Sequence, residues 1–348
     1  MTDLPSPANL DRQWPNDGLE VLGHCPVCGS KTRTVMHSGL SDRIFFSADG
    51  EGTMWRCTQC RSSYLDPRPN RETIGLAYAS YYTHELPEVA AYGPITRLRQ
   101  ALGNDYRNSR YHSRKTPSLP LIGRLAVAIS PKVRHRIDSE YRFLPRYGPG
   151  ARLLDVGCGN GQYLRSIGDT GWKLAGVEPD DAARTVARNE GFEVRATLDD
   201  WQDRPGSFDF VTASHVIEHV HDHQWVLTQI GDLLVPGGKL YLQTPSINAP
   251  SHVRFGSHWR GLEPPRHLVI FNRNSLTKLL AETGFEIEKS IASIGAAEFL
   301  IEQSLRIGQG RDPYTGEQRS APPPPSAPLA DAQGAEDDEF ITLIAAKA

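Results

Sequence analysis

Short apolar runs alternate with amphipathic stretches through the second half of this 348-residue chain. A short apolar run bounded by turn residues is typical of a buried strand, and an apolar stripe at helical spacing is typical of a helix. Strands are predicted near 152–156, 173–178, 192–195, 208–212, 238–243 and 285–291, and helices near 161–169, 180–190, 222–233 and 274–284. Asp222 is the expected N-cap of its helix. This alternation predicts an α/β fold, with a parallel sheet covered by helices on both faces.

The pattern breaks after the last of these strands. The stretch 296–307 is helix-like, and the segment at about 309–338 includes the proline-rich run 321–328. Such a composition cannot pack, which predicts a disordered insertion. Beyond it, residues 340–346 form an apolar, β-branched run. The residues alone leave open whether this tail is a strand or a frayed end.

The first part of the chain carries a different signal. Four of the five cysteines form two C-x-x-C pairs: Cys25 with Cys28, and Cys57 with Cys60. Two such pairs, each in a tight turn, can bind one tetrahedral Zn²⁺ through four thiolates. We therefore predict a structural zinc site in a zinc ribbon over residues 21–68, with hairpin strands at 43–46 and 52–56. Disulfides, which a reducing cytosol disfavours, and incidental free thiols are the alternatives.

Residues 69–147 are rich in basic side chains. Between Pro94 and Gly150 there are twelve Arg or Lys and three Asp or Glu, although the formal net charge of the whole chain is −3. The segment is interpreted as a basic helical connector that contains an apolar patch at 119–129. A solvated basic face explains this composition, and attraction to an anionic substrate or membrane surface is the alternative. RNA binding is disfavoured because aromatic residues are not interleaved as stacking platforms.

A glycine-rich turn supplies the clearest chemical signal. Asp155 lies in the first strand of the predicted sheet, and Gly157, Gly159 and Gly161 follow at alternate positions. Glycines let the backbone bend sharply and come close to a bound ligand. Glu178 ends the next predicted strand, where an acidic residue holds a ribose diol in doubly wound folds. The two features together predict a site for a cofactor that carries a ribose.

Four motifs in order resemble the class I S-adenosylmethionine-dependent methyltransferases over about residues 150–292. They are the glycine turn, Gly176–Pro179, Phe208–Val220, and Leu233–Leu242 with its Pro-Gly-Gly turn. The resemblance implies a Rossmann-like seven-stranded sheet in a methyltransferase domain of residues 148–348. Residues 340–346 would then be the last strand, antiparallel between the fifth and sixth. It also implies S-adenosylmethionine as cofactor, held by Asp155, Gly157, Gly159, Gly161, Glu178, Pro179, Leu198, Asp199, Ser214 and His215.

Two clusters compete for the role of general base. His215, Glu218 and His219 occupy the loop after the fourth strand. This loop resembles that of ubiquinone-pathway O-methyltransferases, where acidic and histidine side chains can hold a divalent ion, although His215 here stands at the first acidic position. The second cluster follows a Pro-Pro turn above the carboxyl ends of the strands. There Arg266 is expected to recognise an anion and His267 to take a proton.

The expected function is methyl transfer to a small polar or sugar-containing metabolite, either free or linked to a nucleotide or lipid. Residues 64–82 resemble a pattern of bacterial methyltransferases with N-terminal zinc modules, some of which act on nucleotide-linked sugars. One alternative is an RNA methyltransferase that grips RNA with its ribbon and connector. The other is a catalytically silent binding protein that uses the ribbon and proline-rich loop as docking surfaces.

The expected partner is therefore a small anionic or sugar-containing substrate, with contact to a membrane or a lipid-linked substrate left open. Nucleic acid is not expected, and no oligomeric state is predicted. Residues 1–20 are expected to be flexible, and they lack the basic start and apolar stretch of a secretory signal. The chain has no apolar run of about 18 residues, the length of a membrane-spanning helix. A cytoplasmic location is predicted on these grounds.

Overall fold

The computed structural model describes residues 14–15, 17–47, 50–78, 93–148, 150–293, 297–321, 323 and 338–348. Its strands, in chain order, are β1 (Leu19–Glu20), β2 (Arg33–Leu40), β3 (Gly52–Cys57), β4 (Ser63–Leu65), β5 (Arg68–Pro69), β6 (Arg152–Val156), β7 (Lys173–Val177), β8 (Glu193–Arg195), β9 (Phe208–Ser214), β10 (Leu234–Pro245), β11 (Val269–Ile270), β12 (Phe285–Ile291) and β13 (Phe340–Lys347). Its α-helices are α1 (Pro94–Tyr111), α2 (Ile122–Ala128), α3 (Pro131–Glu140), α4 (Gln162–Ser166), α5 (Asp181–Asn189), α6 (His223–Leu233), α7 (Pro250–Phe255), α8 (Arg273–Glu282) and α9 (Ala297–Gly308).

A seven-stranded sheet forms the centre of the fold, with the strand order β12-β13-β10-β9-β6-β7-β8. The pairs from β10 through β8 are parallel, whereas β13 runs antiparallel to both β10 and β12. The C-terminal run is thus a strand between the fifth and sixth strands of the sheet. The predicted fold class is confirmed, including its antiparallel last strand.

Helix starts near the sheet follow ordinary capping chemistry. The Asp222 carboxylate accepts a hydrogen bond of 2.9 Å from the amide of Trp225, as expected for the N-cap of α6. The Asp180 carboxylate caps α5 in the same way, through the amide of Ala183 at 2.7 Å. These caps fix where each helix leaves the carboxyl end of a strand, which is the edge where ligands bind in open α/β sheets.

The cysteine-rich segment forms a second sheet, in the order β11-β4-β3-β2. Its hairpin is β2 with β3, so the strand predicted at 43–46 is wrong. The fourth strand, β11, comes from the segment between β10 and α8, and Val269 pairs with Tyr64 of β4. The ribbon and the methyltransferase domain therefore share one sheet.

Residues 43–46 form a loop folded around the buried carboxylate of Asp42. Its Oδ1 accepts hydrogen bonds from the amides of Ile44 and Phe45, at 3.2 and 3.1 Å, and its Oδ2 accepts one from the amide of Ser47 at 2.9 Å. Ile44 and Phe45 are buried against Ile307 of α9. The apolar side chains that suggested a strand are thus packed against α9. Their amides are hydrogen-bonded to the Asp42 carboxylate, so they cannot pair with another strand.

The connector contains α1, α2 and α3, and its end reaches the central sheet. Tyr111 at the end of α1 stacks on Tyr141, with ring centroids 4.2 Å apart and an interplanar angle of 9°. The Tyr111 hydroxyl donates to Asp138 of α3 at 2.6 Å. Both rings pack in a cluster with Leu153 of β6. The helices are therefore anchored on the sheet by their aromatic side chains.

Residues 309–321, assigned in the sequence to the disordered insertion, fold back instead. The amide of Asp312 donates to the carbonyl of Glu317 at 2.8 Å, Arg311 and Gln318 form an isolated β-bridge, and Tyr314 packs near Phe45. The rest of the predicted insertion, apart from residues 323 and 338, lies outside the described residues. So do most of residues 1–20.

No helix in the described part of the chain is long and apolar enough to cross a membrane.

Candidate functional site

The glycine turn after β6 has a backbone that glycine adopts without strain. Gly157, Gly159 and Gly161 all have positive φ, at 71°, 54° and 79°. A Cβ added to Gly157 would lie 2.7 Å from a methyl carbon of Val216, in the loop after β9. The turn and that loop are therefore in direct contact, so the predicted cofactor residues and one of the two catalytic clusters are neighbours.

Glu178 holds the turn in place. Its Oε2 accepts a hydrogen bond of 2.8 Å from the amide of Gly159, and its Oε1 accepts one of 2.9 Å from the amide of Asp180. Burial raises the pKa of Glu178, and the two backbone donors oppose that rise. Each carboxylate oxygen can accept a second hydrogen bond. Glu178 can therefore order the turn and still accept hydrogen bonds from the hydroxyls of a ribose.

Asp155 is tied to the connector by an arginine that the sequence did not single out. Arg142 donates to Asp155 Oδ1 and, at 2.8 Å, to the hydroxyl of Thr212, and its guanidinium lies 3.7 Å above the Tyr163 ring. Burial raises the pKa of Asp155, which Arg142 opposes. Asp155 Oδ2 is buried and has no hydrogen-bond partner among the described residues. This oxygen is available to a donor group of a ligand.

A cavity of about 770 Å³ opens beside these groups. Residues 157–160, Arg142 and Tyr163 line it, together with Phe45 of the ribbon loop and Tyr314 of the C-terminal turn. Its volume falls in the range of sites for cofactors and small molecules. The ribbon, connector and C-terminal turn thus line this open cavity together with the residues that follow the sheet strands.

The loop after β9 brings His215 and Glu218 together. Glu218 is fully buried, and its Oε1 and Oε2 accept hydrogen bonds from His215 Nδ1 at 3.2 Å and the Thr244 hydroxyl at 3.0 Å. Burial alone would raise the pKa of Glu218, but His215 and the nearby His219 and His267 lower it to about 2. Glu218 is therefore a carboxylate at neutral pH, a group that can orient the loop but cannot donate a proton.

His219 is the half-buried histidine of the cluster. Its Nδ1 lies 3.1 Å from the carbonyl oxygen of Arg266 and 3.0 Å from the hydroxyl of Tyr78. A carbonyl can only accept, so Nδ1 carries the proton and Nε2 keeps its lone pair. Such a tautomer suits a general base. Tyr78 lies in the segment 64–82, and no pattern in the sequence predicted a role for it.

His267 occupies a more enclosed position. It is 4% exposed, and its Nδ1 donates to the carbonyl of Gly261 at 2.8 Å. Burial lowers the pKa of His267 to about 4, even though Glu263 opposes that shift. Its ring meets that of His219 edge-on at 4.6 Å. One ligand atom each from Glu218, His219 and His267 lie within 4.8 Å of one another, so these three could hold a metal ion.

Arg266 is not available to bind an anionic substrate, which corrects the expectation from the Pro-Pro turn. Its side chain is fully buried. Its Nη2 and Nη1 donate to the two oxygens of Asp42 at 2.8 and 3.0 Å, and its Nε donates to Glu263 at 3.0 Å. Its Nη1 also donates to the carbonyl of Ala77 at 2.9 Å. Arg266 therefore clamps the ribbon loop and the residue before Tyr78 onto the catalytic half of the chain.

Seven of the ten predicted cofactor residues do not line the cavity: Gly161, Glu178 and His215, described above, and the four that follow. Ser214 ends β9 and donates to Gln243 at 3.2 Å. Pro179 is exposed next to Glu178. Leu198 is buried in the core, and Asp199 is exposed and bonded to Gln202 at 2.8 Å. None of these four is among the described residues that line the cavity.

The four paired cysteines converge at one point. The sulfur atoms of Cys25 and Cys60 are 3.6 Å apart, and those of Cys28 and Cys57 are 3.5 Å apart. A tetrahedral Zn²⁺ with bonds of about 2.3 Å requires sulfur separations of about 3.8 Å. Each pair closes a similar turn, and the residue after its second cysteine has positive φ, 74° at Gly29 and 63° at Arg61. The sulfur positions thus fit one zinc ion.

Comparisons with known proteins agree with this geometry. A family model described as a methyltransferase domain matches residues 131–290. A ubiquinone biosynthesis O-methyltransferase of Xanthomonas oryzae is 37% identical over 161 residues, which cover 40% of this chain and 67% of that protein. The protein of the same name from Xanthomonas euvesicatoria is 37% identical over 103 residues. The 103 aligned residues cover 27% of this chain and 43% of that relative, so this chain matches less than half of the relative's length.

Among solved structures, an S-adenosylmethionine-dependent methyltransferase from Mesorhizobium loti aligns with a TM-score of 0.43 at 18% identity, covering 61% of this chain and 97% of that one. The family match and the Xanthomonas oryzae relative define the class of protein. The chain belongs to the class I S-adenosylmethionine-dependent methyltransferases.

Proposed function

We propose that this chain transfers the methyl group of S-adenosylmethionine to a small polar or sugar-containing metabolite, free or linked to a nucleotide or lipid. The observation that carries the proposal is the open cavity of about 770 Å³ that residues of the glycine turn and of the ribbon loop line together. Phe45 and Tyr314 line it as well as residues 157–160. Such a space suits a cofactor with a compact acceptor more than an RNA helix.

The cofactor supplies the reactive methyl group, and the protein's own residues bind it and hold its orientation. Glu178 accepts hydrogen bonds from the ribose hydroxyls. Glu178 does not itself line the cavity, but it bonds the amide of Gly159, which does. Arg142 and Asp155 line the cavity, and Oδ2 of Asp155 has no partner among the described residues. A guanidinium and a carboxylate together complement a group with both charges, such as the amino-acid end of the cofactor.

His219 is the general base of this proposal. The Arg266 carbonyl holds the proton on Nδ1, so Nε2 can accept one from the acceptor. The half-buried His219 is preferred to His267, whose burial keeps it from a substrate. The Tyr78 hydroxyl lies 3.0 Å from the same Nδ1 and also holds the imidazole at that nitrogen. The four cysteines hold a structural Zn²⁺ that fixes the ribbon sheet, and hence the Phe45 wall of the cavity.

The experiment incubates the protein with labelled S-adenosylmethionine and separate pools of bacterial polar metabolites, lipids and total RNA. Label is expected in the polar or lipid-linked fraction. His219→Asn should lower kcat by about 10²–10⁴-fold while cofactor affinity stays unchanged. His221→Asn is the matched control, because the His221 ring lies against the Pro69 carbonyl at 2.9 Å and the Glu20 carboxylate at 3.9 Å and has no predicted catalytic role. Label confined to RNA, or full activity of His219→Asn, would refute the proposal.

A further inference from the structure

A second cavity, of about 430 Å³, lies at the opposite edge of the central sheet. It is lined by the end of α1 and the loop after it, by residues 145–148, and by residues at the starts of β6 and β7. The glycine turn instead follows the carboxyl end of β6. The second cavity is thus separate from the cofactor cavity, and its volume is in the range of small-molecule sites.

The cavity is strongly basic. Arg110, Arg114 and Arg146 line it, and Asp169 is the one acidic group among its described lining residues. All three arginines belong to the connector, where the sequence had left open attraction to an anion. Guanidinium groups bind phosphate oxygens in pairs of hydrogen bonds, which makes such a cluster suitable for a phosphate.

Two buried polar atoms on residues that line this cavity lack partners among the described residues. Arg110 donates through Nη2 to the carbonyl of Leu144 at 3.2 Å, but its Nη1 is buried without an acceptor. Asp169 accepts from the amide of Arg114 at 3.0 Å through Oδ2, but its Oδ1 is buried without a donor. Buried polar groups are nearly always paired. A ligand that brought an anionic acceptor to Arg110 and a hydroxyl or amino donor to Asp169 would pair both atoms.

Aromatic side chains form another part of the wall. The rings of Tyr147 and Trp172 meet edge-on, with centroids 5.2 Å apart and an interplanar angle of 78°, and both side chains are half-buried. A nucleobase stacked on such a ring gains about 1–3 kcal/mol. A ligand that satisfies all parts of the wall would therefore carry a hydrogen-bond acceptor, a hydrogen-bond donor and a flat ring.

We propose that this cavity binds a nucleoside phosphate, with its base against Trp172 and Tyr147 and its phosphate on Arg110 and Arg146. A ribose hydroxyl donates to Oδ1 of Asp169. The site is independent of methyl transfer. It shares a wall with the cofactor cavity, because Tyr111 lines one cavity, Tyr141 lines the other, and the two rings stack.

The test is calorimetry on the full chain, saturated with S-adenosylhomocysteine so that adenine compounds cannot enter the cofactor cavity. Adenosine 5′-monophosphate should bind, and ribose 5-phosphate and inorganic phosphate should each bind at least about tenfold more weakly, because one stacked base contributes about that factor. Arg110→Met and Trp172→Leu should weaken nucleotide binding about tenfold or more. Arg146→Met tests the same site without removing a buried group, since Arg146 is exposed.

Arg99→Met is the matched control, as Arg99 is exposed on α1 and does not line either cavity. Absence of nucleotide binding at millimolar concentration would overturn the proposal. So would binding that the Arg110, Arg146 and Trp172 variants leave unchanged, or inorganic phosphate binding as tightly as the nucleotide. A short RNA that binds far more tightly than the mononucleotide, with steep salt dependence, would assign the cavity to RNA and overturn it as stated.

Discussion

Replacing Arg266 by methionine should destabilise the protein more than substitutions of charged residues at its surface do. The guanidinium is fully buried and pairs with Asp42, whose side chain is also fully buried. Removing one partner of a buried ion pair costs about 3–5 kcal/mol, because the other charge is left without compensation. The methionine chain fills much of the same volume, so the loss is electrostatic rather than a cavity.

The structure places the expected loss at the lower end of that range. Asp42 keeps the amides of Ile44, Phe45 and Ser47 as donors. Glu263 likewise keeps an ion pair with a second arginine of the same segment. We therefore expect Arg266→Met to lower the free energy of unfolding by about 3 kcal/mol.

The assay is equilibrium unfolding in urea, followed by circular dichroism. Lys278→Met is the control, since Lys278 is 69% exposed and its contact with Glu282 is 3.7 Å long, so a change below about 1 kcal/mol is expected. Adding Asp42→Asn to Arg266→Met should recover part of the loss, because the uncompensated charge is removed. A loss below about 1 kcal/mol for Arg266→Met, or no recovery in the double variant, would refute the buried ion pair.

Three further outcomes are expected. Glu178→Ala should weaken S-adenosylmethionine binding by about 1.5–3 kcal/mol in calorimetry, and unchanged affinity would remove Glu178 from the site. Metal analysis of chelator-free protein should find about one zinc per chain, and Cys57→Ser should abolish it; four free thiols without metal would exclude the zinc site. Burial lowers the pKa of His37 to about 4 and that of His252 to about 3, so the unfolded state binds more protons between about pH 3 and 6.5. The free energy of unfolding should fall as pH falls through that window. Replacing both histidines by leucine should reduce its slope against pH by up to about 2.7 kcal/mol per pH unit. An unchanged slope would show that the pKa values of the two histidines are not lowered in the folded state.

The central sheet could be predicted because each strand is a short apolar run with a clear boundary. The glycines at 157–161 end β6 as predicted, whereas the Pro-Gly-Gly turn lies inside β10, which begins at Leu234 and not at the predicted residue 238. The tail 340–346 was ambiguous by itself, and the family topology was needed to predict its place. The two cysteine turns were predictable because both cysteines of each pair are local to one turn.

Contacts between residues far apart in the chain could not be predicted from the sequence. Tyr78 meets His219 across 141 residues, and Arg266 meets Asp42 across 224. No local pattern marks either pair, and a charged residue beside a Pro-Pro turn is ordinarily solvated. Arg142 was missed for a similar reason, because it looks like one more basic residue of the connector. The roles predicted for His215, Glu218, His219 and His267 remain predictions.

The strand β11 has a consequence for how this enzyme can be divided. Because β11 completes the ribbon sheet, a variant lacking residues 1–68 would lose β4 as a partner and expose the backbone groups of Val269 and Ile270. An unpaired strand edge is a template for aggregation. The unit that could be exchanged between related proteins is therefore discontinuous, made of the ribbon together with the segment between β10 and α8. A chimera joined at the end of the ribbon alone should be insoluble, whereas one that also carries that segment should fold.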